Sequence, residues 1–499
     1  MAEILFTHSY FLRFDPKELR AMTPYPPLGT LYAASAARAR GYTVALFDSM
    51  LAHEEQELAQ TIRQHHPRIV VIYDDDFNYL TKMCLTRMRH AAFLMADIAH
   101  AAGCTVIVHG SDPVDHIEEY LAHHADYVLC GEGEETLLEV LDHLLRGVGE
   151  RSTISGLAYF HDGAVHLAGP RTARRDLDQL AFPAWDLVDM RLYRTTWKRR
   201  HGYFSLNMVT TRGCPFRCNW CAKPLYGQVY NSRSPESVVT EMLYVKEQYS
   251  PDRLWFCDDV FGLAPGWIQA FAEEVQRRGG SIPFKCQGRV DLLLKGDTID
   301  QLRKAGCASL WVGAESGSQK ILDAMEKGTT VEQIYEATRR MKHAGIRVGF
   351  FLQFGYPGET GGDIEKTLAM VRDLLPDEIG ISVSYPLPGT PFFERVKAEM
   401  GEKRNWEVSE DLEVMFHGTF EPEFYRLLHA FTHKKLRIWQ GRELLGRLRS
   451  HPWIIRPAHA RLLAASTYHA STIRRLESDL TRLAATRDRE DPAEERHNG

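Results

Sequence analysis

The sequence predicts an α/β protein with a doubly wound parallel sheet at its N-terminus, followed by an α/β barrel region and a helical C-terminal region. Strand-like and helical segments alternate twice along the chain, and the residues after 395 become helical and rich in arginine, lysine and histidine. The first alternation contains the strand-like segments EILFTHS (3–9), TVALFD (43–48), RIVVIYDDD (68–76), CTVIVHGS (104–111) and DYVLCGEGE (126–134). Helical segments at 28–40, 86–102 and 134–146 separate them, which predicts an open sheet with helices on both faces.

The second alternation begins with the β-rich segment YFSLNMVTT (203–211). A helix over 234–249 follows, because Ser234 stands before Pro235 and an acidic first turn. The later strand-like segments are RLWFCDD (253–259), FKCQGRVD (284–291), SLWVGAESG (309–317), RVGFFLQFGYPGE (347–359) and GISVSYPLPGT (380–390). Each of them ends in polar or glycine-rich residues, which is where an α/β barrel keeps its chemistry.

Bulk composition excludes several classes of protein. The 499 residues are 44% hydrophobic and 25% charged, which is ordinary for a globular protein of two or three domains. A net charge of −6 provides no electrostatic footprint for nucleic acid. No uncharged apolar run of about 18 residues predicts a membrane span. The first residues lack a basic region before an apolar one, so we expect no secretory signal and a cytoplasmic location.

The nine cysteines fall into two groups. Six stand alone in apolar or strand-like contexts and are predicted to be small buried hydrophobic residues: Cys84, Cys104, Cys130, Cys257, Cys286 and Cys307. Cys214, Cys218 and Cys221 form a C-x3-C-x2-C motif without a fourth ligand nearby to complete a structural zinc site. Because thiolates are the usual ligands of iron–sulfur clusters, this spacing favours a cluster with one open iron over zinc.

The second half of the chain resembles the radical S-adenosylmethionine (SAM) enzymes. RGCPFRCNWC (212–221), WFCDDVF, GAESGSQKIL, GYPGET and YPLPGTP carry the resemblance over about residues 200–395. It implies a partial (β/α)6 barrel and a 4Fe-4S cluster whose open iron is chelated by SAM. It also implies reductive cleavage of SAM to a 5′-deoxyadenosyl radical, with an electron donor such as flavodoxin or ferredoxin.

The same resemblance implies roles for individual residues. Cys214, Cys218 and Cys221 bind the cluster, and Trp220 lies near the adenine of SAM. Asp258 and Asp259 stand where many relatives have a glycine-glycine-glutamate motif, so either one is a candidate for the SAM amino group. Arg289 and Glu315 are expected near the ribose and carboxylate of SAM, with a strand-end salt bridge as the alternative. Gly355 is a further candidate for the SAM site, although Gly355 and Gly358 could also only shape a turn.

The N-terminal half resembles the cobalamin-binding domain that is fused to many radical SAM enzymes. PYPPLGTLYAA, VHGSD and DYVLCGEGEETL match in order and spacing. The implied cobalamin contacts are Pro27, Leu28, Asp75, Gly110, Ser111, Gly131, Glu132 and Gly133. The D-x-H-x-x-G signature is absent, and His109 and His116 do not stand at its spacing. We therefore expect cobalt to have no protein histidine below it.

The predicted organisation has five parts. A cobalamin-binding domain occupies 1–150, a docked connector 151–200, the radical SAM barrel 201–395 and a C-terminal helical region 396–486, while 487–499 is predicted to be disordered. Within the connector, a hairpin is predicted around Asp162 and Gly163. If methyl transfer occurs between the two cofactors, the ligand edges of the sheet and the barrel should face each other.

Three functions compete. The first is a class B radical SAM methyltransferase that methylates an unactivated carbon of a metabolite or lipid-like small molecule. The second is a radical cyclase, oxidase or ring-rearranging enzyme, similar to the anaerobic magnesium-protoporphyrin ester cyclases. The third is a cobalamin sensor without enzymatic activity, which the intact cysteine motif opposes. Tyr203, Phe350 and Phe351 could suggest an apolar substrate, but core packing explains them better.

Overall fold

The computed structural model describes residues 2–78, 81, 83, 85–222, 225–451, 453 and 456–490. The strands are β1 (Ile4–Thr7), β2 (Val44–Leu46), β3 (Ile69–Tyr73), β4 (Thr105–His109), β5 (Tyr127–Leu129), β6 (Leu157–His161), β7 (Ala164–Leu167), β8 (Ser205–Met208), β9 (Thr211–Arg212), β10 (Asn231–Ser232), β11 (Arg253–Phe256), β12 (Phe284–Gly288), β13 (Cys307–Glu315), β14 (Arg347–Phe354) and β15 (Glu378–Val383).

Helices cover both sheets. They are α1 (Pro16–Ala21), α2 (Leu28–Ala39), α3 (Glu57–His65), α4 (Thr86–Ala101), α5 (Ser111–Asp115), α6 (Ile117–Ala122), α7 (Gly133–Arg146), α8 (Met190–His201), α9 (Pro235–Tyr249), α10 (Trp267–Arg278), α11 (Val290–Leu293), α12 (Thr298–Ala305), α13 (Gln319–Ala324), α14 (Val331–His343), α15 (Gly361–Leu374), α16 (Pro391–Val396), α17 (Pro422–Ser450) and α18 (Pro457–Glu490).

The N-terminal sheet has the strand order β2-β1-β3-β4-β5-β6-β7, with β1 to β5 parallel. Alternate residues of each strand point to opposite faces. Val70 and Ile72 pack in one apolar core, while Ile69, Val71 and Tyr73 pack in the other. The predicted doubly wound parallel sheet is therefore confirmed, and its chain order changes direction between β1 and β3, the usual ligand crevice of such sheets.

The hairpin predicted around Asp162 and Gly163 is present as β6 and β7. It also extends the sheet, since β6 pairs antiparallel with β5. This was not predicted, because the sequence of a hairpin does not show which strand it will pair with. Leu157 and Ala158 of β6 are fully buried, and their burial favours the pairing of β6 with β5.

The second sheet contains six parallel strands in the order β15-β14-β13-β12-β11-β8. It confirms the partial barrel. The outer side chains, among them Phe256 and Phe284, pack against helices such as α10 through Phe271. The inner, concave side carries more polar and half-buried residues, such as Lys285 and Gln287. Each strand of this sheet ends before the C-terminal limit of its predicted segment. The polar residues at the ends of those segments do not pair with a neighbouring strand of this sheet.

The segment between the two sheets contacts both of them. The backbone N–H of Ala184 donates to the carbonyl of Leu31 on α2, and the indole N–H of the buried Trp185 donates to Glu241 on α9. Trp197 on α8 donates from its indole to the carbonyl of Pro24 at 2.7 Å. An apolar segment of this kind packs rather than remaining solvated.

After the barrel, α17 and α18 pack on each other, and α17 also packs against α15 and the edge strand β15. Helix α18 extends to Glu490, four residues into the segment predicted to be disordered, because charged residues can continue a helix that is already formed. Residues 491–499 of that prediction lie outside the described residues. Within the described part of the chain, we found no helix both long and apolar enough to cross a bilayer.

The isolated cysteines mostly follow the prediction. Cys104, Cys257, Cys286 and Cys307 are buried, whereas Cys130 is half-buried beside the turn that follows β5. Cys84 lies outside the described residues.

Candidate functional site

The carboxyl ends of the two parallel sheets face each other, and a buried ion pair joins them. Arg212, directly before the cysteine loop, donates two hydrogen bonds to Glu134, at 2.5 and 3.1 Å, and a third to Glu132. All three side chains are at least 94% buried. Glu132 and Glu134 belong to the CGEGE turn after β5, so this contact connects the predicted cobalamin edge directly to the predicted cluster edge.

Aromatic side chains surround this ion pair. Phe77, from the YDDDFN turn after β3, stacks on Tyr226 of the cysteine loop with 5.9 Å between ring centroids. The Arg212 guanidinium lies 5.4 Å from the centroid of Tyr226 and 5.6 Å from that of Tyr32 on α2. The junction is therefore closed to water on several sides, which strengthens the charge interaction at its centre.

The cysteine loop is held at its base by a short antiparallel ladder. Thr211 and Arg212 of β9 pair with residues of β10, so the two ends of the loop 213–230 are adjacent. Gly213 has φ of +81°, and a Cβ there would lie 2.3 Å from the carbonyl oxygen of Val229. Only glycine fits this position.

Asn219, between the second and third cysteines, anchors the cysteine loop to later parts of the barrel. Its amide donates to the carbonyl of Ala324 at 2.8 Å and accepts from the hydroxyl of Tyr356 at 2.9 Å. Its backbone carbonyl accepts from the N–H of Phe392. Sequence reasoning missed Asn219, since nothing in an asparagine between two cysteines indicates three partners this far along the chain.

Cys214 is buried, and Cys218 and Cys221 are half-buried. Arg289, at the end of β12, places Nη1 3.9 Å from the Sγ atom of Cys218 and stacks its guanidinium 3.7 Å from the Phe216 centroid. The guanidinium therefore lies directly beside one of the three predicted cluster ligands. Among the described residues, no three histidine, cysteine or acidic side chains converge on a single ion; a cube-shaped cluster instead takes each thiolate on a different iron.

Arg289 and Glu315 each form the salt bridge that was the alternative to a SAM contact, Arg289 with Asp291 and Glu315 with Lys327, and Lys327 also links the two residues. Lys327 donates to Glu315 at 2.6 Å, and its backbone carbonyl accepts from Arg289 at 2.9 Å. The Lys327 ammonium also lies 5.7 Å from the Trp220 ring. Burial lowers the pKa of Lys327, but the charges of Glu315 and Cys218 outweigh it and raise that pKa above its ordinary value. Only the fold shows this pairing, because Lys327 follows a helix with no distinctive motif.

The two aspartates after β11 differ. Asp258 is buried and accepts from the N–H of Thr210 and the hydroxyl of Thr211, both at 2.7 Å, so it holds the start of the cysteine loop. Its second oxygen has no hydrogen-bond partner, and burial raises the pKa of Asp258 to about 6. Asp259 is exposed. Of the two candidates, Asp258 therefore has the free acceptor inside the site.

The GYPGE turn follows β14. Gly355 has φ of +76°, and its N–H donates to Glu359 at 2.7 Å. Gly358 also has positive φ, and its carbonyl accepts from Lys320. Glu359 is fully buried with one unpartnered oxygen, and burial raises its pKa to about 8. Both glycines shape the turn, and Glu359 is a further residue that sequence reasoning missed.

At the N-terminal sheet, three consecutive aspartates follow β3. Asp74 accepts from the N–H of Ser9 at 2.7 Å, and Asp75 accepts from the N–H of Gly29 at 3.0 Å. Burial raises the pKa of both carboxyls to about 6. Asp76 faces His109 at 3.0 Å.

Both ring nitrogens of His109 are engaged by the protein. Nε2 pairs with Asp76, and Nδ1 lies 3.0 Å from the carbonyl oxygen of Leu129. Burial favours the neutral ring, but Asp76 raises the pKa of His109 above its ordinary value. His116 pairs with Glu119 near the surface. The ring of His109 therefore has no free nitrogen for a ligand, whereas Nε2 of His116 lies 4.0 Å from Asp112.

The other predicted cobalamin residues line the same edge. Pro27 and Leu28 lie at the start of α2, and Gly110 has φ of +147° with Asp74 against it. Gly131 also has positive φ. Gly133 starts α7 so close to the sheet that a Cβ would lie 2.6 Å from the hydroxyl of Tyr73 and 2.8 Å from His109.

Two family models match the chain. The B12 binding domain matches residues 20–141, and the Radical SAM superfamily matches residues 208–371. The chain therefore combines a B12-binding domain with a radical SAM domain. The B12-binding match contains the ligand edge of the N-terminal sheet, and the radical SAM match contains the cysteine loop that faces it.

Two relatives illustrate the range of similar proteins. An uncharacterised methyltransferase of Pyrococcus horikoshii is 28% identical over 379 residues, which cover 74% of this chain and 78% of the relative. The anaerobic magnesium-protoporphyrin IX monomethyl ester cyclase of Rubrivivax gelatinosus is 25% identical over 395 residues, which cover 76% of this chain and 67% of the relative.

Solved structures share the fold of this B12-binding radical SAM protein. The methyltransferase TsrM of Kitasatospora setae, with cobalamin and a 4Fe-4S cluster bound, matches with a TM-score of 0.65 and 19% identity over 80% of this chain and 75% of its own. OxsB with aqua-cobalamin bound matches with a TM-score of 0.71 and 17% identity over 95% of this chain and 72% of its own.

The cofactors of a B12-binding radical SAM protein are a 4Fe-4S cluster, SAM and cobalamin, and the residues present fit them. Buried polar atoms without a protein partner collect at both edges. At the N-terminal sheet they are Ser9 Oγ, Asp76 Oδ1, Thr81 Oγ1 and Ser111 Oγ. Around the barrel they are Trp220 Nε1, Asp258 Oδ2, Gln353 Oε1, Glu359 Oε1 and Ser384 Oγ. Since buried polar groups normally have a partner, these atoms are positions where polar ligands would fit.

Proposed function

We propose that this protein is a cobalamin-dependent radical SAM methyltransferase that methylates a carbon of a small-molecule substrate. One observation carries the proposal: Arg212 bonds to Glu132 and Glu134 and thereby fixes the B12-binding edge opposite the cysteine loop. A methyl group can pass between two cofactors only if their reactive faces share one cavity, and small errors of position reduce the rate strongly.

The cluster and SAM supply a carbon-centred radical, and cobalamin supplies the methyl group. On the barrel side, the residues of the chain would hold the cluster and orient SAM. Cys214, Cys218 and Cys221 would hold the cluster, and the Arg289 guanidinium lies beside Cys218. Glu315, held by Lys327, and Trp220 would bind SAM, with Trp220 on the adenine side.

Further barrel residues complete the proposed SAM site. Asp258 offers its unpartnered oxygen to the SAM amino group. Gly355 allows the turn that brings its own backbone close to SAM, while the exposed Asp259 is the weaker candidate.

On the other side, the edge of the N-terminal sheet holds cobalamin. Asp75 and the turns at Gly110–Ser111 and Gly131–Gly133 contact the corrin ring or its side chains, with Pro27 and Leu28 at the start of α2. Both nitrogens of His109 are engaged by the protein, so this histidine would not serve as a ligand of cobalt. The proposal includes the division of the chain into 1–150, 151–200, 201–395 and 396–486, and a flavodoxin or ferredoxin as electron donor.

A second candidate function is radical cyclisation or oxidation, which the similarity to the Rubrivivax gelatinosus cyclase favours. The two relatives differ too little in identity to separate the functions. A cobalamin sensor without enzymatic activity is less well supported, since it would not need a cluster with an open iron.

The proposal is tested by anaerobic incubation of the reconstituted protein with SAM, a reductant and cobalamin. A methyltransferase should form S-adenosylhomocysteine together with 5′-deoxyadenosine, both measured by mass spectrometry. Formation of 5′-deoxyadenosine without S-adenosylhomocysteine would instead indicate the cyclase or oxidase. Absence of both products in protein that carries iron and corrinoid would contradict the proposal.

Matched cysteine variants assign the cluster. Cys218→Ala should remove the cluster absorbance and all SAM cleavage, because its thiolate holds one iron. Cys286 is buried in the barrel core, with its Sγ 4.0 Å from that of Cys307. Cys286→Ala should keep the cluster absorbance and the cleavage of SAM. Equal loss in the two variants would show that the ligands are assigned incorrectly.

A further inference from the structure

The inner face of the half-barrel carries a cation without a matched partner. Lys285 on β12 points to the concave side, since its neighbours Phe284 and Cys286 are buried in the outer core. Its ammonium lies 4.8 Å from the ring centroid of Trp255, which pairs with Lys285 in the strand register. Within the part of the chain that the structure describes, Lys285 makes no hydrogen bond or salt bridge.

Two carboxylates act on Lys285 only at longer range. Glu378, at the start of β15, is already hydrogen-bonded to Arg347 at 2.8 Å, and Glu18 on α1 lies beyond salt-bridge distance. Burial lowers the pKa of Lys285, and these two carboxylates only partly oppose that effect. A cation left half-buried in this way is stabilised by an anionic ligand.

Above Lys285, the concave wall is flat and aromatic. Trp311 lies across β14, where a Cβ at Gly349 would come within 2.3 Å of the indole. Gly380 on β15 leaves similar room, at 3.3 Å from the same ring. Phe351 packs on Trp311 with 4.8 Å between centroids. The expectation that Phe351 belongs to the core is therefore wrong; Phe350 is the buried one of the pair, because the two side chains point to opposite faces.

We infer that this concave face binds the substrate, and that the substrate combines a flat or extended apolar body with a carboxylate that pairs with Lys285. The inference rests on the proposed function and names its substrate class. A carboxylate fits better than a phosphate: Glu378 and Glu18 are paired with Arg347 and Lys17, which leaves the single positive charge of Lys285 to balance one negative charge.

The strand geometry also sets a length. Arg289, which contacts Cys218, stands four positions after Lys285, and a strand rises about 3.3 Å per residue. The substrate's carboxylate therefore lies about 13 Å from the cluster end of β12. Its apolar body spans Trp311 and Phe351, and the reacting carbon lies at the opposite end from the carboxylate.

Two fluorescent probes of matched shape test the inference: pyrenebutanoate, which carries a carboxylate, and the neutral pyrenebutanol. Binding is measured by fluorescence anisotropy on the reconstituted full chain without reductant, so the result does not depend on SAM cleavage or methylation. The wild-type protein should bind the carboxylate more tightly than the alcohol. Lys285→Gln should weaken only the carboxylate, by about tenfold to a hundredfold, as expected for a charge-assisted hydrogen bond.

Three further variants separate charge from packing. Lys285→Arg should retain the preference for the carboxylate, and the exposed Lys295→Gln should bind both probes as the wild type does. Trp311→Ala should weaken both probes. Equal wild-type affinity for the two probes overturns the inference without any variant, and so does an unchanged carboxylate preference in Lys285→Gln with wild-type thermal melting and cluster absorbance.

Discussion

Glu359 shows how one buried side chain can serve a turn and a site at once. One of its oxygens accepts from the N–H of Gly355, and the other has no partner. Burial keeps the carboxyl protonated to higher pH than usual, with a pKa of about 8. A neutral carboxyl can donate as well as accept, which suits a position at the rim of the proposed SAM site.

This pKa makes stability depend on pH. The folded protein holds the proton to a higher pH than the unfolded chain, so the free energy of unfolding should fall as the pH rises from 5 toward 8. The slope is at most about 1.4 kcal/mol per pH unit for one proton. Glu359→Gln keeps the acceptor for Gly355 and should flatten this dependence. Urea unfolding at several pH values measures it.

The exposed Glu365→Gln, on α15, is the control and should keep the wild-type slope. An identical slope in wild type and Glu359→Gln would show that the Glu359 carboxyl is not held neutral.

Sequence reasoning reached some of these residues and not others, for a physical reason. Cysteines at fixed spacing and polar residues at strand ends are local signals, so Cys214, Cys218, Cys221, Arg289 and Glu315 could be selected from the sequence. Lys327, Asn219 and Glu359 have partners distant in sequence or lie in segments without a motif. Their importance follows from burial, which a single sequence does not show.

At the level of elements, the strands could be predicted well because apolar alternation and turn residues mark them. Which strands pair with each other was harder to predict from the sequence. The β6–β7 hairpin was predicted as a separate unit, and its attachment to β5 depends on apolar contacts of Leu157 and Ala158 that have no local signal. The turns that follow β5 and precede the cysteine loop were each predicted as ligand edges, but not the Arg212 ion pair that joins them.

Arg212→Lys tests that junction. Lysine keeps one positive charge but loses the forked geometry that bonds Glu132 and Glu134 together. Cleavage of SAM should continue, while the ratio of S-adenosylhomocysteine to 5′-deoxyadenosine should fall on the order of tenfold, because the two edges no longer hold one geometry. Mass spectrometry of both products measures the ratio.

Arg89→Lys is the matched control, since Arg89 forms a similarly forked and buried pair with Asp112 within the N-terminal domain. Its product ratio should match that of the wild type. A ratio unaffected in Arg212→Lys would mean that the ion pair does not set the distance between the cofactors.

For the whole molecule, the interface between the two sheets is extensive and the connector lies within it. Trp197 donates to Pro24 and packs on Tyr25, whose ring also packs on Trp255 of the barrel. Tyr193 on the same helix donates to Asp48 of the N-terminal sheet region. Such contacts should make the N-terminal sheet and the barrel unfold together.

Calorimetry should therefore show one unfolding transition for the wild type. Trp197→Ala should lower the free energy of unfolding by about 3–5 kcal/mol, as is typical for a buried tryptophan, and should separate the transition into two. Trp453→Ala, at a position that is 75% exposed, should change neither. Two transitions in the wild type would contradict the expectation of a joint unit.

Gly349 and Gly380 have a consequence for comparing related sequences. A Cβ at Gly349 would clash with the flat indole of Trp311 at 2.3 Å, and one at Gly380 would press on it at 3.3 Å. A larger residue at either position would tilt the indole ring away from the strands and narrow the channel along the concave face. A smaller residue in place of Trp311 would leave room for a side chain at both positions. Among homologues, these three positions should change together, and their combination should sort sequences by the thickness of the molecule that each channel admits.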